Sequence, residues 1–544
     1  MAVGMGQVYE GVQYSPSGLP FGRPYARPTA PVTEEILYKL LDQAVEKARS
    51  AARFGFDALI LDISNDSIVD AFMAPGFNLR TDNWGGSYEN RFRLAQMIVS
   101  RVREAIGPDF VLELRVSATL GVPETYPFEE MLQFLKSVED QIDIVNLVTG
   151  MDEYHDGNVK LCPPIFEPHL LNLERARAIR ESCDVLVNIS GAIMDVQEAE
   201  RVLREGAADL VLLGRSLVAD PFWPKKVLEG REDDIVPCIR CNKCHVPNDT
   251  DKFRSFCSVN PLIGLEDKID RMIAPVEREK KVAVVGGGPA GMQSAVTLAK
   301  RGFDVTLFEK EDTLGGTMNL ADKGPHKEKI TRFVETMKAE VERAGVKVLL
   351  GKAPSIDEVK ALAPEGVVMA AGAAPIVPRI PGVDKPHVCT AYDVISGDVK
   401  VSGKVALIGS GITGLECAEM MLNEGCQVAM VEMLDAVGTG MFSVIINDIM
   451  SRIKPKDPTM YLHTMLTEIG DGYVMVKDVK TGEEKRIEAD HVVLSLGVAP
   501  RADVLAEYRS AFKNVICVGD NAQRGRIPHA TKEGYIKSLV FLKD

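Results

Sequence analysis

The chain has 544 residues and a formal net charge of −15, which exclude a single-domain protein and a basic surface for nucleic acid. The composition is that of a globular protein, and no apolar run reaches the ~20 residues that span a bilayer, so we expect neither a nucleic-acid nor a membrane partner. The start lacks the pattern of a signal peptide, and ten cysteines, four of them grouped, indicate the reducing cytoplasm.

The first predicted elements, from residue 32 onward, alternate between helices and short buried strands. The apolar runs lie at 58–63, 110–117, 143–148, 185–190 and 208–214. Buried parallel strands that alternate with helices indicate an α/β sheet or a (β/α)8 barrel. A closed barrel needs eight strands and this pattern contains five, so we predict an incomplete barrel over residues 1–232.

Two of the predicted strands end in residues that suit a phosphate group. Ser190-Gly191-Ala192 follows one strand, and Gly214-Arg215 follows the next. In barrels, phosphates commonly lie at the loops after strands seven and eight, where bare backbone N–H groups face the anion. The same glycines would also form tight βα turns, and the spacing alone does not separate the two interpretations.

A group of four cysteines follows the barrel region. Cys238, Cys241, Cys244 and Cys257 have the spacing C-x2-C-x2-C-x12-C. Structural zinc sites usually combine two C-x-x-C pairs, whereas three thiolates on one loop with a distant fourth better fit the corners of a [4Fe–4S] cubane. We therefore predict an iron–sulfur linker over residues 233–275, with a zinc site as the alternative.

A strand, a glycine-rich turn, a helix and a second strand follow over residues 280–310. Gly286, Gly288 and Gly291 form the motif G-x-G-x-x-G, and Glu309 lies at the end of the second strand. The glycines let the backbone approach a pyrophosphate at a helix N-terminus, and the acid accepts a hydrogen bond from a ribose hydroxyl. Because the strand, the glycine motif, the helix and the acid follow one another at the expected spacing, the segment predicts a dinucleotide-binding fold.

The same pattern recurs over residues 403–433. Gly409, Gly411 and Gly414 form the second motif, and Glu432 follows its first glycine by 23 residues, as Glu309 follows Gly286. Two such motifs in one chain predict two dinucleotide-binding folds.

Strand-like runs on both sides of the second motif indicate that its fold is inserted in the first. These runs cover residues 367–375 and 491–501. We predict that the first fold comprises residues 276–395 and 488–544, and that the inserted fold comprises residues 396–487.

Four stretches of the barrel region resemble the old yellow enzyme family: RTDNWGGSYENRFR (80–93), ELRVS (113–117), SGAI (190–193) and LLGRSLVADPFWPKKVLEG (212–230). With the cysteine group and the two dinucleotide folds, the chain resembles the iron–sulfur branch of that family. This branch includes 2,4-dienoyl-CoA reductase, trimethylamine dehydrogenase, 2-enoate reductases and bile-acid-inducible NADH:flavin oxidoreductases. The resemblance implies an incomplete TIM-type barrel, an iron–sulfur linker and nested Rossmann-like domains.

The resemblance also implies the cofactors. FMN would contact five residues of the barrel region, namely Arg115, Gly191, Ala192, Gly214 and Arg215. FAD would occupy the first dinucleotide fold, with Asp520 of the motif VICVGDNA (515–522) on its ribityl chain. NAD(H) would occupy the inserted fold, and the [4Fe–4S] cluster would pass single electrons between the two flavins.

Two features depart from the family pattern. The resemblance places the five strands as strands four to eight, so we expect the first three βα units to be absent and FMN to be held weakly. The two explanations are an incomplete gene product and a partner chain that completes the barrel, and a homo-oligomer is the other expected assembly. After strand four the family carries histidines, or a His and a Tyr, where this chain has Asp62, Asn65 and Ser67. Asp62 or Asp66 is the candidate acid if burial raises its pKa, and a polar cap on a degenerate pocket is the alternative.

The leading hypothesis is an NADH:flavin oxidoreductase that reduces an activated C=C bond in a small-molecule enoate, dienoyl-CoA or enone. One rival is an electron-transfer or diaphorase subunit whose substrate-reducing half is on a partner chain, and the missing strands and histidines favour it. A second rival is an amine dehydrogenase-like enzyme, which the intact NAD fold disfavours.

Overall fold

The computed structural model describes residues 2–5, 8–19, 29–65, 67–123, 125–151, 155–244, 257–266 and 280–543, so the candidate acid Asp66 lies outside the described residues. The chain divides into two compact units, residues 1–214 and 215–544. The division falls earlier than the predicted barrel boundary at residue 232, because the segment after Gly214 bonds to the cysteine region. Asn260 Nδ2, for example, donates to the Val218 carbonyl at 3.0 Å.

The first unit alternates strands and helices as the sequence predicts. Its strands are β1 (Ala2–Gly4), β2 (Val8–Tyr9), β3 (Val12–Ser15), β4 (Thr29–Pro31), β5 (Ala58–Asp62), β6 (Val111–Ser117), β7 (Ile144–Val148), β8 (Leu186–Ile189) and β9 (Leu210–Val211). Its helices are α1 (Glu34–Arg53), α2 (Ile68–Met73), α3 (Tyr88–Ile106), α4 (Phe128–Val138), α5 (His155–Leu161), α6 (Leu173–Ser182) and α7 (Val196–Arg204).

Six strands form one parallel sheet in the order β1-β5-β6-β7-β8-β9, while β2, β3 and β4 form a small separate sheet. The incomplete barrel is confirmed, and the five predicted strands are β5 to β9. The strand count was one too low, because β1 also pairs with β5, with Val3 opposite Leu61. Three residues are too few to show the periodicity that identifies a strand. In the described sheet, β1 and β9 are the two edges.

The two faces of this sheet differ in chemistry. Side chains alternate between faces along each strand, and Leu61 and Leu114 are fully buried on the helix-covered face. On the opposite face, a row of polar residues runs across four strands, because Asp62, Arg115, Asn146 and Asn188 are paired in register. In a packed barrel this interior carries branched apolar side chains.

The second unit begins with two short helices before the cysteine segment. Its helices are α8 (Arg215–Ala219), α9 (Trp223–Leu228), α10 (Pro289–Lys300), α11 (Met318–Ala321), α12 (Glu328–Arg343), α13 (Ile356–Ala361), α14 (Ala391–Ser396), α15 (Ile412–Asn423), α16 (Ser443–Ile453), α17 (Ala502–Ala511) and α18 (Ile527–Val540). Its strands are β10 (Lys281–Val285), β11 (Asp304–Phe308), β12 (Lys347–Leu349), β13 (Gly366–Met369), β14 (Ala373–Pro375), β15 (Val388–Thr390), β16 (Lys404–Ile408), β17 (Gln427–Val431), β18 (Thr459–Tyr461), β19 (Thr464–Gly470), β20 (Tyr473–Asp478), β21 (Glu484–Glu488), β22 (His491–Leu494), β23 (Val498–Pro500) and β24 (Val515–Cys517).

Two five-stranded parallel sheets confirm the nested Rossmann-like folds. The first has the order β12-β11-β10-β13-β24, so its last strand returns after the insertion, and the second has the order β15-β22-β16-β17-β18. The strands β14 and β23 lie where the chain leaves the first fold and where it returns, and they pair antiparallel. The inserted sheet extends beyond the predicted range 396–487 at both ends, because β15 and β22 belong to it. None of the described helices is both long enough and apolar enough to cross a membrane.

A buried ion pair joins the two nested folds. Lys327, which precedes α12 of the first fold, donates from Nζ to Oε1 of Glu416 on α15 of the inserted fold at 2.5 Å. Both residues are buried, with 7% and 8% of their surfaces exposed. Removing one partner of such a pair leaves an uncompensated charge away from water.

We expect Lys327→Met to lower the free energy of unfolding of the second unit by about 3 kcal/mol, measured by chemical denaturation. Lys338→Met, which breaks the exposed pair with Glu335, is the matched control and should change it by less than about 1 kcal/mol. Equal effects of the two variants would show that the buried pair does not join the folds energetically.

Candidate functional site

The first three cysteines of the predicted cluster lie on an irregular loop after α9. Arg240 and Asn242, the residues on either side of Cys241, have positive φ angles of 51° and 56°. This left-handed backbone is costly for non-glycine residues and is typical of functional sites. The turn brings the Arg240 N–H to 3.4 Å from Cys238 Sγ, where it donates to the sulfur.

All four cysteines line one cavity. The other residues that line it are Arg215, Ile239, Asn242, Ser258 and Val259. Cys241 Sγ lies 3.0 Å from Ser258 Oγ. The loop and the returning segment therefore direct the four candidate ligands of the sequence analysis to a common space.

The spacing of the four cysteines and their shared cavity favour a cluster over zinc. A tetrahedral zinc site with Zn–S bonds of about 2.3 Å would hold its sulfurs about 3.8 Å apart. Here three thiols of one loop and a fourth from a returning segment line the same cavity. A cubane carries one iron at each of four corners and holds its cysteines further apart, so the cavity fits a [4Fe–4S] cluster.

Burial controls the ionisation of these thiols when no metal is bound. Burial raises the pKa of Cys238 to about 11, although the Arg215 guanidinium opposes the change, and burial raises the pKa of Cys257 to about 12. Iron binds the thiolate, so loading the site must displace protons from these buried sulfurs.

The first glycine motif forms the expected turn between β10 and α10. A Cβ on Gly291 would lie 1.9 Å from the Gly286 carbonyl oxygen, so only glycine allows this close packing of helix and strand. Gly288 begins the helix and faces open space, which leaves room for a pyrophosphate at the helix N-terminus. Glu309 Oε2 accepts from the Gly287 N–H at 2.7 Å, which fixes the acid beside the turn.

The second motif repeats these contacts between β16 and α15. A Cβ on Gly414 would lie 2.3 Å from the Gly409 carbonyl oxygen, and Gly411 faces open space. Glu432 Oε2 accepts from both N and Oγ of Ser410, at 2.9 and 2.7 Å. Burial raises the pKa of Glu432, but hydrogen bonds from Ser410 and the backbone outweigh burial, so its pKa is lowered overall.

Asp520 lies at the return of the chain to the first fold, after β24. Gly519 packs against Ala290 of α10, which brings Asp520 to the same helix N-terminus as the first glycine motif. Its Oδ1 accepts from the Gly525 N–H at 2.8 Å, and burial raises its pKa. The ribityl contact predicted for Asp520 stays a prediction.

Asp62 and Ser67, at the predicted acid position, make local contacts. Asp62 Oδ1 accepts from N and Oγ of Ser64, at 3.0 and 2.6 Å, and Oδ2 lies 3.9 Å from Arg115 Nε. Ser67 caps α2 by accepting from the Asp70 N–H at 3.1 Å. Asp62 is therefore already engaged with its neighbours, and its role as a proton donor stays a prediction.

The predicted phosphate-binding residues of the first unit adopt an unusual backbone. Gly191 and Ala192, which follow β8, have φ angles of 114° and 59°. The side-chain amide of Asn172 donates to the Ser190 carbonyl at 3.0 Å and supports this turn. Gly214 faces open space. Gly191 is half-buried, Ala192 is buried and Gly214 is exposed, and the phosphate contacts of all three stay predictions.

A polar cluster that the sequence did not predict lies on the face of the sheet opposite Leu61 and Leu114. Glu113 Oε1 accepts from the side-chain amides of Asn146 and Asn188, at 2.6 and 2.9 Å. The Oδ1 atoms of both asparagines and Nε of Arg115 are buried without hydrogen-bond partners. Such orphaned polar atoms fit a polar cofactor at this face, as expected for FMN. The sequence does carry a signal for this cluster, because Asn146 and Asn188 each interrupt an otherwise apolar strand, β7 and β8.

Comparisons with known proteins match both units. Residues 29–234 match the NADH:flavin oxidoreductase / NADH oxidase family, and residues 280–529 match pyridine nucleotide-disulphide oxidoreductases. The chain is 35% identical over 488 residues to the NADH oxidase of Thermoanaerobacter brockii, a match that covers 88% of this chain and 74% of that protein.

Two further relatives are reductases. The cinnamate reductase of Clostridium sporogenes is 28% identical over 505 residues, covering 90% of this chain and 75% of that protein. The structure of 2-naphthoyl-CoA reductase in complex with 2-naphthoyl-CoA is similar with a TM-score of 0.90 and 28% identity, covering 97% of this chain and 80% of that one.

We expect Cys241→Ser to remove most of the about four irons per chain that a cubane contains, because one corner loses its ligand. Cys389→Ser, at a cysteine outside the cavity, is the control and should keep its iron. Iron and acid-labile sulfide assays of anaerobically purified protein measure both. Stoichiometric zinc in the unaltered protein would contradict the assignment.

The two glycine motifs predict that FAD and NADH binding can be lost separately. Gly291→Ala should release the flavin of the first fold, and Gly414→Ala should weaken NADH binding at least about tenfold while that flavin remains bound. Each variant serves as the control for the other, with FAD measured after extraction and NADH affinity measured by titration. Loss of the same cofactor from both variants would show that the two folds are misassigned.

Proposed function

Because this chain belongs to the NADH:flavin oxidoreductase / NADH oxidase family, in its iron–sulfur branch, we propose that it passes electrons from NADH through FAD and a [4Fe–4S] cluster to FMN and reduces a C=C bond conjugated to a carbonyl group. The chain is an NADH-dependent oxidoreductase, and its cofactors are FMN, FAD, NAD(H) and a [4Fe–4S] cluster. The order of electron transfer and the substrate class are the proposed parts.

The observation that carries the proposal is the cysteine cavity. Its four thiols lie in the same compact unit as both dinucleotide folds, and Arg215 at the start of that unit also lines the cavity. When bound, the flavins exchange hydrides and single electrons, and the cluster exchanges single electrons only. A one-electron centre of this kind connects two flavins without binding an organic substrate.

The residues of the chain hold the nucleotides in defined positions. Gly288 and Gly411 leave open space for the pyrophosphates at two helix N-termini, where the helix dipole favours negative charge. Glu309 and Glu432, each fixed by N–H groups of its glycine turn, retain lone pairs for a ribose hydroxyl. These contacts would hold a pyrophosphate and a ribose at each of the two motifs.

The reductase relatives support the substrate class. Cinnamate is an enoate, and 2-naphthoyl-CoA is an aromatic thioester, so each carries unsaturated carbon conjugated to a carbonyl group. Conjugation makes the β-carbon electrophilic, which suits hydride addition followed by protonation at the α-carbon. We propose the same class of acceptor for this chain.

A second candidate function is electron transfer from NADH to a partner that carries the substrate site. Two observations favour it. In the described sheet β1 and β9 remain edges, and Asp62 at the predicted acid position is engaged by Ser64 and lies near Arg115. The NADH oxidase relative is also consistent with an acceptor other than an enoate.

Anaerobic turnover with NADH separates the two candidates. We expect the unaltered protein to consume about one NADH per cinnamate reduced, because one hydride and one proton saturate one C=C bond. Cys241→Ser should still reduce ferricyanide with NADH but should not reduce cinnamate. If the unaltered protein with full FMN reduced ferricyanide only, across a panel of enoates, enones and enoyl thioesters, the second candidate would replace the first.

The inserted fold should select NADH over NADPH. The Glu432 carboxylate would oppose a 2′-phosphate by like charge, and no arginine follows it immediately, since the next residues are Met433, Leu434 and Asp435. We expect a preference of at least about tenfold in kcat/KM, or ~1.4 kcal/mol. Because the pKa of Glu432 is lowered, the preference should persist from about pH 8 to about pH 5.

Glu432→Gln should reduce the preference to a few-fold, while Glu424→Gln, at an exposed position after α15, should leave it unchanged. Steady-state kinetics with both nucleotides measure the ratio. An unchanged ratio in Glu432→Gln would show that this acid does not face the ribose.

A further inference from the structure

The cysteine cavity contains a cation that the family resemblance assigns to a different cofactor. Nine residues line the cavity, and apart from the thiols Arg215 is the one ionisable side chain among them. No carboxylate lines this described cavity. The resemblance assigns Arg215 to FMN, yet its position makes it a neighbour of the cluster ligands.

The Arg215 guanidinium contacts the cysteine loop directly. Arg215 Nη1 donates to Asn242 Oδ1, and Asn242 lies between Cys241 and Cys244 on the ligand loop. Asn242 is 1% exposed and has a left-handed backbone. A hydrogen bond to a strained, buried residue of the loop holds the loop in the conformation that directs the sulfurs into the cavity.

The positive charge of Arg215 also lies close to the cluster ligands. Arg215 lines the same cavity as Cys238 and the other three ligand thiols, so its positive charge lies beside the cluster site. Reduction adds one electron, and therefore one negative charge, to a cluster held by four thiolates. A fixed positive charge in a water-poor cavity stabilises the reduced form more than the oxidised form.

We propose that Arg215 is a positioning residue of the cluster, which orders the cysteine loop through Asn242 and raises the reduction potential of the cluster. The inference rests on the proposed function, since it requires the cluster at the four cysteines. It assigns to Arg215 a role in electron transfer besides the FMN contact that the resemblance implies.

The test is the midpoint potential of the cluster in anaerobic holoprotein, measured by EPR-monitored redox titration. We expect Arg215→Gln to lower the ratio of reduced to oxidised cluster at a fixed potential by about tenfold, a shift of about 59 mV for a one-electron couple. Arg215→Lys keeps the charge but not the planar donor fork, so its potential should remain near that of the unaltered protein while iron is lost faster to a chelator.

A second variant tests the contact without changing the arginine. Asn242→Asp should also lower the potential, because it adds a negative charge beside the cluster while retaining an acceptor for Arg215. Arg231→Gln is the matched control, since Arg231 pairs with Glu229 and Asp234 outside the cavity, and it should leave the potential unchanged.

Iron and flavin contents distinguish the possible failures. Full iron with unchanged potentials in Arg215→Gln and Asn242→Asp would overturn the inference and leave the proposed function intact. Loss of FMN from Arg215→Gln without a change in potential would assign Arg215 to the flavin alone and would also overturn it. Absence of iron from the unaltered protein would overturn the cluster, and with it both the proposed electron path and this inference.

Discussion

The arrangement of four sulfur atoms around one cavity is the constraint on which the rest of the account depends. Ligands for a cubane must face a common space without approaching one another as closely as zinc ligands do. The loop has left-handed backbone at Arg240 and Asn242, and the segment that begins at Cys257 lines the same cavity. Such a backbone is strained without glycine, so contacts to the loop, among them those of Arg215, must stabilise it.

The two dinucleotide folds lie in the same compact unit as that cavity. Their glycine motifs make the same contacts, in which the third glycine packs on the carbonyl of the first and the acid accepts from the turn. The inserted fold interrupts the sequence of the first fold, and the buried ion pair of Lys327 and Glu416 joins the two. The second unit therefore contains both glycine motifs and the cysteine cavity.

Local patterns predicted most of the fold, and contacts between distant segments account for the rest. The glycine motifs and the strands β5 to β9 carry their own signals, because glycine spacing and apolar runs are local. The strand β1 is too short to be periodic, and β15 and β22 were assigned to the wrong fold because pairing partners are not visible in a sequence. The cluster of Glu113, Asn146 and Asn188 depends on register across three strands, and the position of Arg215 depends on the path of the cysteine loop.

The most direct test of the central claim is the redox state of the cluster during one anaerobic reaction cycle, followed by freeze-quench EPR. Addition of NADH alone should produce the signal of a reduced [4Fe–4S] cluster, and subsequent addition of cinnamate should remove it as the enoate is reduced. Reduction of the enoate by NADH with a cluster that remains oxidised, or with no cluster signal under any condition, would contradict the account.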